Sequence, residues 1–416
     1  GLLLCIGLSC QSLAAALSTA TGSSAYVVKA LSDRLGFGVV EGFDLRNVLS
    51  DDALKAQVQR DIKQHRLLVF RGQEQLGGEE HVALSECFGT LDHGLHRPHP
   101  KAPHPYLLRV SNDAEEGFRS IGISGWHVDG VMIKWPFHVQ TMHFLKATTQ
   151  GTTKFLGFEE LLQSLDEATR ETWERRWFVA GVGDDLMNGD GQVALHPLVT
   201  SLDENRRGMC MHLGAGYCLG IVQEDPQRPE AGSVDAKAGD DADEPQKVEK
   251  PKGFFDSLFA ASAVPASAAR ALKSDNVFDA EEELARLLAC DRTEIETPGE
   301  VLGELRDRID EASSDCIFEQ SWQDGDFAFI DNRALAHLPS AGTQNASDQD
   351  GLRLFHRTTM TDGSPLVSRR RQRPSLVISA GSVPLPGGSG GVDIKDPYVY
   401  RRVLRGLVEK QSKSAA

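Results

Sequence analysis

The chain lacks several features that would place it in common classes. It has only seven cysteines, at positions 5, 10, 87, 210, 218, 290 and 316. They are odd in number, scattered, and nowhere arranged as CxxC, so neither a zinc ribbon nor a disulfide scaffold is supported. A reducing compartment, or simple burial of the thiols, fits this usage. Basic charge is also short: 44 Lys and Arg stand against 60 Asp and Glu, a net charge of −16. Sequence-independent nucleic-acid binding needs a basic surface, so nucleic acid is not the expected partner. No HExxH is present to serve a zinc hydrolase, no pattern supports a Ser or Cys triad, and no internal repeat is visible. No apolar run reaches the length of about 20 residues that spans a bilayer.

What is present is an ordinary globular balance. Hydrophobic residues make up 40% and charged residues 25% of 416 residues, enough to bury a sizeable core in one elaborated domain or two to three smaller ones. Gly1 to Leu17 is apolar and Ser18 to Ser24 is small and polar, like the core and cleavage zone of a targeting peptide, with a frayed apolar tail as the alternative. The start at Gly1 makes the chain read as truncated or processed, and cytoplasmic and organellar locations both stay open. Ser50-Asp51-Asp52 caps a helix to about Gln64, and 79–87 is a second helix. Strands are expected at 37–43, 67–70, 106–110, 137–144, 153–155, 209–213, 316–322, 327–330 and 352–360, with one amphipathic helix from Glu159 to about Trp177. Many short strands and few helices point to a mainly β sandwich or barrel.

Residues 223–250 hold nine acidic and four basic residues with almost nothing apolar, the composition of a linker. A short apolar cluster at Phe254, Phe255, Leu258 and Phe259 follows, and 280–289 reads as a helix. The strand pattern on either side is incomplete alone, so 223–298 is read as an insertion into one domain; a separate second domain is the alternative. The expected organisation is a targeting-like segment (1–24), two parts of one domain (25–222 and 299–368) around that insertion, and a C-terminal extension (369–416) with a terminal helix near 397–410. The basic run Arg369-Arg370-Arg371-Gln372-Arg373 reads as a solvated turn or a contact to the chain's own acidic insertion, with a nuclear signal or an anionic-surface contact as the alternative.

The most informative residues are Trp126-His127-Val128-Asp129-Gly130. In an extended segment, residues i and i+2 share a face, so His127 and Asp129 can point at one ion. An imidazole and a carboxylate completed by a second His form the facial triad of non-haem Fe(II) oxygenases, which leaves positions open for a cosubstrate and oxygen. An isolated HxD carries little weight, because a surface pair or a sheet histidine explains it as well. His337 follows the strand-to-turn run Asp326-Phe327-Ala328-Phe329-Ile330-Asp331-Asn332-Arg333, and Arg353 and Arg357 lie in a β-rich run beyond it. An arginine in such a run needs an anion, because a buried unpaired guanidinium is costly. A dicarboxylate would meet it through a two-pronged contact.

Taken in order, RLLVFRGQ (66–73), ECFGTL (86–91), WHVDG (126–130), QGTTKF (150–155), HPLV (196–199), WQDGDFAFIDNRALAH (322–337) and GLRLFHRTT (351–359) resemble the TauD/TfdA (taurine dioxygenase) family of Fe(II)- and 2-oxoglutarate-dependent dioxygenases. The resemblance covers about 31–222 and 300–365. It implies a double-stranded β-helix, a cupin-like jelly-roll barrel with flanking helices. It also implies Fe(II), 2-oxoglutarate and O2, and hydroxylation of a small organic substrate with release of succinate and CO2. On that basis His127, Asp129 and His337 are the iron ligands and Arg353 pairs with the distal carboxylate of 2-oxoglutarate. Thr153 donates a hydroxyl to the same cosubstrate, and Arg357 reaches the keto-acid region or an anionic substrate group. Gln150-Gly151-Thr152-Thr153 stands where the family has GGDT, so one acidic residue is missing there.

His93, His96 and Arg97, after the FGTL segment, are the candidates to line a pocket for a small, anionic, sulfonate-like substrate, with a histidine-rich surface loop as the alternative. Trp126 is a further candidate there and would pack behind the metal strand. His138, His143 and His196 read as structural, and His356 lies on the opposite strand face from Arg353 and Arg357. A cupin-like binding protein without oxygen chemistry is the competing reading, favoured if His337 could not reach His127 and Asp129. Association into a homo-oligomer stays open.

Overall fold

The computed structural model describes residues 25–92, 98–133, 135–181, 192–214, 217–223, 294–296, 298–370 and 376–379. The targeting-like segment, nearly all of the insertion with its 280–289 helix, the terminal helix, and His93, His96 and Arg97 lie outside them.

The largest sheet runs in the order β1 (Lys29–Ser32), β2 (Phe37–Val40), β3 (Leu67–Phe70), β15 (Phe327–Asp331), β6 (Val139–Lys146), β17 (Leu354–Thr361) and β4 (Thr90–Asp92), with β5 (Leu108–Ser111) also on β17. Only β2 and β3 pair in parallel among these. Its central strands are buried on both sides, which is why Leu67–Phe70 and Phe327–Ile330 read as unbroken apolar runs. Alternation still sorts them. Leu68, Phe70, Phe327 and Phe329 face two helices, while Leu67, Val69, Ala328 and Ile330 face the barrel interior.

Those helices are α1 (Asp52–His65) and α2 (Gly78–Glu86). As expected, Asp51 caps α1, accepting from the N–H groups of Ala53 and Leu54. Leu54, Val58 and Ile62, four residues apart, supply its buried stripe.

Across the interior lies a smaller sheet of β14 (Ile317–Gln320), β7 (Thr153–Gly157) and β16 (Leu335–Pro339). Phe155 and Leu335 from this sheet meet Met142, Phe144 and Phe355 from the large one. The two facing sheets make the double-stranded β-helix. The outer side of the small sheet is covered by α3 (Phe158–Ser164) and α5 (Pro298–Glu311), whose Phe158, Leu161, Leu162, Val301, Leu305 and Ile309 form its cover.

Two expectations need correction. The helix from Glu159 to Trp177 is two: α3, then α4 (Glu167–Glu174), broken at Leu165-Asp166 because Asp166 turns its side chain onto the N–H of Thr169 and starts a new helix. Trp177 instead belongs to β8 (Arg176–Gly181), part of a five-stranded sheet with β9 (Gln192–Pro197), β12 (Cys218–Gln223), β13 (Glu294–Glu296) and β18 (Leu376–Ser379). The strand expected at 209–213 is laddered only through β11 (Arg207–Met209), which pairs with β10 (Val199–Ser201); beyond it the chain bonds sideways to residues 126–128.

Candidate metal centre

Strand β16 is widened by two irregular segments. His127 and His337 exchange backbone hydrogen bonds of 3.2 and 2.9 Å. On its other side His127 bridges His212, with Val128 N–H donating to Met211 O and Leu213 N–H to Trp126 O. Directly opposed residues of an antiparallel pair project on one face. His337, His127 and His212 therefore stand in a row, while Trp126, Val128, Met211, Leu213 and Ala336 turn to the outer cluster. The ring centroids of His127 lie 4.3 Å from those of His337 and 4.9 Å from those of His212. Asp129, two residues past His127, brings Oδ2 to 3.4 Å from His337 Nε2. One ligand atom from each of His127, Asp129 and His337 lies within 4.8 Å of the others, so the three could hold a metal ion.

The surroundings prepare these groups as ligands. His127 shares Nδ1 with the Gly125 carbonyl at 2.7 Å, which fixes the proton there and leaves Nε2 for a metal. His337 Nδ1 lies 3.4 Å from the Gln140 amide, whose Oε1 is buried without a partner among the described residues; a half-turn of that amide sets Oε1 against the ring N–H. Burial, reinforced by His127, pushes His337 down to about 3, and burial lowers His127 too. Burial alone would raise Asp129, but Arg357 and the neighbouring histidines hold it well below the ordinary carboxylate range. The site thus offers two neutral imidazoles and one carboxylate, needing no proton loss before a divalent ion binds. Asn332 fixes the backbone of Asp129 from both sides: Oδ1 accepts from Asp129 N–H at 3.0 Å, and Nδ2 donates to the carbonyls of Asp129 and Phe137. Gly130 follows with φ +80°, where a Cβ would meet the Phe137 ring at 3.0 Å.

Beside the row is a pocket lined by Thr153, His337, Arg353, Phe355 and Arg357. Arg353 is 4% exposed, and the one hydrogen bond of its guanidinium among the described residues is a 3.4 Å contact from Nε to the Gly151 carbonyl. Its guanidinium lies over the rings of Phe144 and Phe355 at 5.3 and 4.7 Å, and burial lowers its pKa to about 10. A buried cation held by aromatic faces and one weak acceptor calls for an anion. Gly151 permits the packing, since a Cβ there would come within 2.8 Å of Arg353 Cδ. Thr153 Oγ1 accepts from Trp322 Nε1 at 3.0 Å, which leaves the threonine's own hydrogen free to donate. Arg357 Nη1 donates to Asp129 Oδ2 at 2.8 Å, and its Nε is buried without a partner among the described residues. The donor set therefore fits both a divalent metal and a dicarboxylate.

The structure brings His127, Asp129, His337, Thr153, Arg353 and Arg357 together. It turns Trp126 away into the outer cluster, and His93, His96 and Arg97 are outside the described residues. His138 bonds to the carbonyls of Met360 and Phe88, and His143 to that of Gln73, which are structural roles. His196 is buried and hydrogen-bonded to the backbone at Val131 and Ile133. His356 faces away from the pocket and meets Arg109 Nη1 at 2.9 Å. Sequence reasoning missed Gln140, His212, Trp322 and Asn332. Trp322 and Asn332 stood inside WQDGDFAFIDNRALAH without a role, and nothing local marked the other two.

A family described as taurine catabolism dioxygenase TauD, TfdA family, matches residues 28–359. No curated protein matches the chain. Solved structures resemble it at low identity. A putative alpha-ketoglutarate-dependent taurine dioxygenase from Burkholderia xenovorans has 19% identity and a TM-score of 0.55, covering 85% of this chain and 98% of its own. A taurine dioxygenase from the same organism has 20% identity and a TM-score of 0.53, covering 85% and 95%. AAD-2 in complex with Mn(II) and N-oxalylglycine has 16% identity and a TM-score of 0.51, covering 83% and 100%. The chain belongs to the TauD/TfdA family and is an Fe(II)- and 2-oxoglutarate-dependent dioxygenase.

Proposed function

We propose that the enzyme hydroxylates a small, anionic organic molecule of the sulfonate or carboxylate kind, coupled to conversion of 2-oxoglutarate into succinate and CO2. The observation that carries this reading is a single pocket where His337, Thr153, Arg353 and Arg357 converge beside His127 and Asp129. In this reading His127, Asp129 and His337 hold Fe(II), which with 2-oxoglutarate and O2 supplies the oxidising chemistry when bound. Arg353 receives the distal carboxylate of 2-oxoglutarate through its guanidinium fork, and Thr153, oriented by the Trp322 indole, donates its hydroxyl hydrogen to the same group. Phe355 lines the pocket, and with Phe144 it packs against the Arg353 guanidinium and keeps water from it. Arg357 keeps Asp129 ionised and offers its unspent Nε–H to an anion nearby. N-oxalylglycine, bound in the AAD-2 complex, differs from 2-oxoglutarate by an NH in place of a CH2, in line with a cosubstrate of this shape.

The anion preference follows from the donors: the buried Arg353 and the half-buried Arg357, which keeps N–H groups beyond the one given to Asp129, exceed what one distal carboxylate needs, and a neutral molecule would leave N–H groups unpaired. Anaerobic addition of Fe(II) and 2-oxoglutarate should produce a weak visible charge-transfer band in the wild-type protein and none in His127→Ala. A retained band and full metal stoichiometry in that variant would remove the ligand assignment. Substrate-dependent succinate release should be confined to anions in a screen of sulfonates, sulfate esters, aryloxy acids, betaines and amino acids. Stimulation by neutral or cationic compounds alone would exclude the anion preference and leave the enzyme class standing.

A further inference from the structure

His212 has no part in the metal set, yet it stands on the same face in the same row. Across the small sheet the order is β14, β7, β16, the His127 segment and the His212 segment. The pocket with Thr153 and Arg353 lies on the β7 side of His337, so His212 flanks the ligand row on the opposite side. Its ring stacks on His127 at 4.9 Å and 28°, and the Tyr217 ring stacks on it at 3.8 Å and 19°. Gly214 N–H donates to His212 Nδ1 at 3.0 Å, so the neutral ring carries its hydrogen on Nε2. Among the described residues that Nε2–H meets no acceptor. Gly214 must be glycine for this arrangement, because a Cβ there would come within 2.6 Å of His212 Cε1.

We propose that His212, backed by Tyr217, is a specificity-determining residue on the substrate side of the metal centre, its Nε2–H donating to a carboxylate or sulfonate oxygen of the molecule to be oxidised. The proposal rests on the dioxygenase reading and deepens it. With the cosubstrate seated over β7 and β16, a second organic molecule has to approach the metal face from another side. On the far side of His127 it meets the edge of a ring stack, in which His212 lies between His127 and Tyr217 and carries one N–H donor. An oxyanion of that molecule can take the donor at the ring edge.

The test compares wild type, His212→Ala and His212→Asn. Each is loaded anaerobically with Fe(II) and 2-oxoglutarate and titrated with phenoxyacetate and with ethanesulfonate, reading the change in the visible charge-transfer band; KM values then follow from succinate release in air. At least one anion should perturb the wild-type band. His212→Ala should weaken that anion about tenfold or more, the loss of one hydrogen bond to a charged group. His212→Asn, which keeps an N–H, should recover most of the affinity. Metal stoichiometry and half-saturation by 2-oxoglutarate should shift less than about threefold in both variants. Equal anion affinity in wild type and His212→Ala would overturn the proposal. So would loss of the metal in both variants, which would make His212 a support for His127 instead. A wild-type band that neither anion perturbs would sink the proposal while the dioxygenase reading stands; no band at all would sink both.

Discussion

Replacement of Arg353 by Leu is the sharpest test of the pocket, because it should harm function without harming the fold. Arg353 is 4% exposed, and burial lowers its pKa from 12.5 to about 10. At about 1.36 kcal/mol per pKa unit, holding the charged side chain in that place costs on the order of 3 kcal/mol. The faces of Phe144 and Phe355 return about 1 kcal/mol of it. The Arg353 guanidinium therefore carries an unmet cost that an anionic carboxylate offsets. Arg353→Leu removes both the cost and the recognition. The 2-oxoglutarate concentration for half-maximal charge-transfer absorbance should rise by about two to three and a half orders of magnitude, the size expected for a broken buried charge pair of roughly 3–5 kcal/mol. Fe(II) binding should stay nearly intact, because Arg353 touches none of the three ligands. The melting temperature without cosubstrate should hold or rise. Saturating 2-oxoglutarate at about 100 times its Kd should stabilise the wild type by about 2.7 kcal/mol and the variant hardly at all. Unchanged 2-oxoglutarate dependence would move the carboxylate role to Arg357 or elsewhere. A large loss of stability in the cosubstrate-free variant would show that the guanidinium is already satisfied, and the reasoning would fail.

Asn332→Ala should weaken metal binding about 10- to 100-fold, because it removes two hydrogen bonds to the Asp129 backbone and one that ties it to the Phe137 carbonyl; an unchanged metal Kd in a chelator competition would refute that role. Stability should fall on acidification. Burial pushes His356, near Arg109, down to about 3 and His196 to about 4, so both stay neutral in the folded chain and take up protons only on unfolding. Their contribution is full above about pH 6.5 and is lost as pH drops toward 3 to 4, costing about 2 kcal/mol per histidine at pH 5. His356→Gln, which keeps an acceptor for Arg109, should flatten the profile by about that amount in thermal melts at pH 7.5 and 5; an identical profile would reject the assignment. We also propose that 223–298 is an insertion dispensable for chemistry. Gln223 and Glu294 are paired neighbours on β12 and β13, so the chain leaves and returns at one place. A protein with 225–250 replaced by a short linker should still decarboxylate 2-oxoglutarate, and loss of soluble protein would show that this segment packs on the domain.

Much of the scaffold was legible in the sequence because its signals are local. The Asp51 cap, the Leu54, Val58 and Ile62 stripe and the apolar runs of β3 and β15 each depend on residues within a few positions of one another. His127 and Asp129 share a face for the same reason, and the family motifs tied them to His337, Thr153 and Arg353. The helix expected from Glu159 to Trp177 failed where a local choice was evenly balanced: Asp166 is tolerable inside a helix but better as a cap, and the strand waiting at Trp177 decided it. Tertiary structure alone decided everything that lies sideways. His212 joins the row only because two irregular segments pair with each other beside β16. Gln140 reaches His337 from the opposite sheet, Trp322 aims the Thr153 hydroxyl, and Arg357 spends an N–H on Asp129. Periodicity and capping act along the chain and so can be read from it. The lateral register of strands far apart in sequence is set by how two sheets close around one core, and that closure chose the neighbours of each ligand.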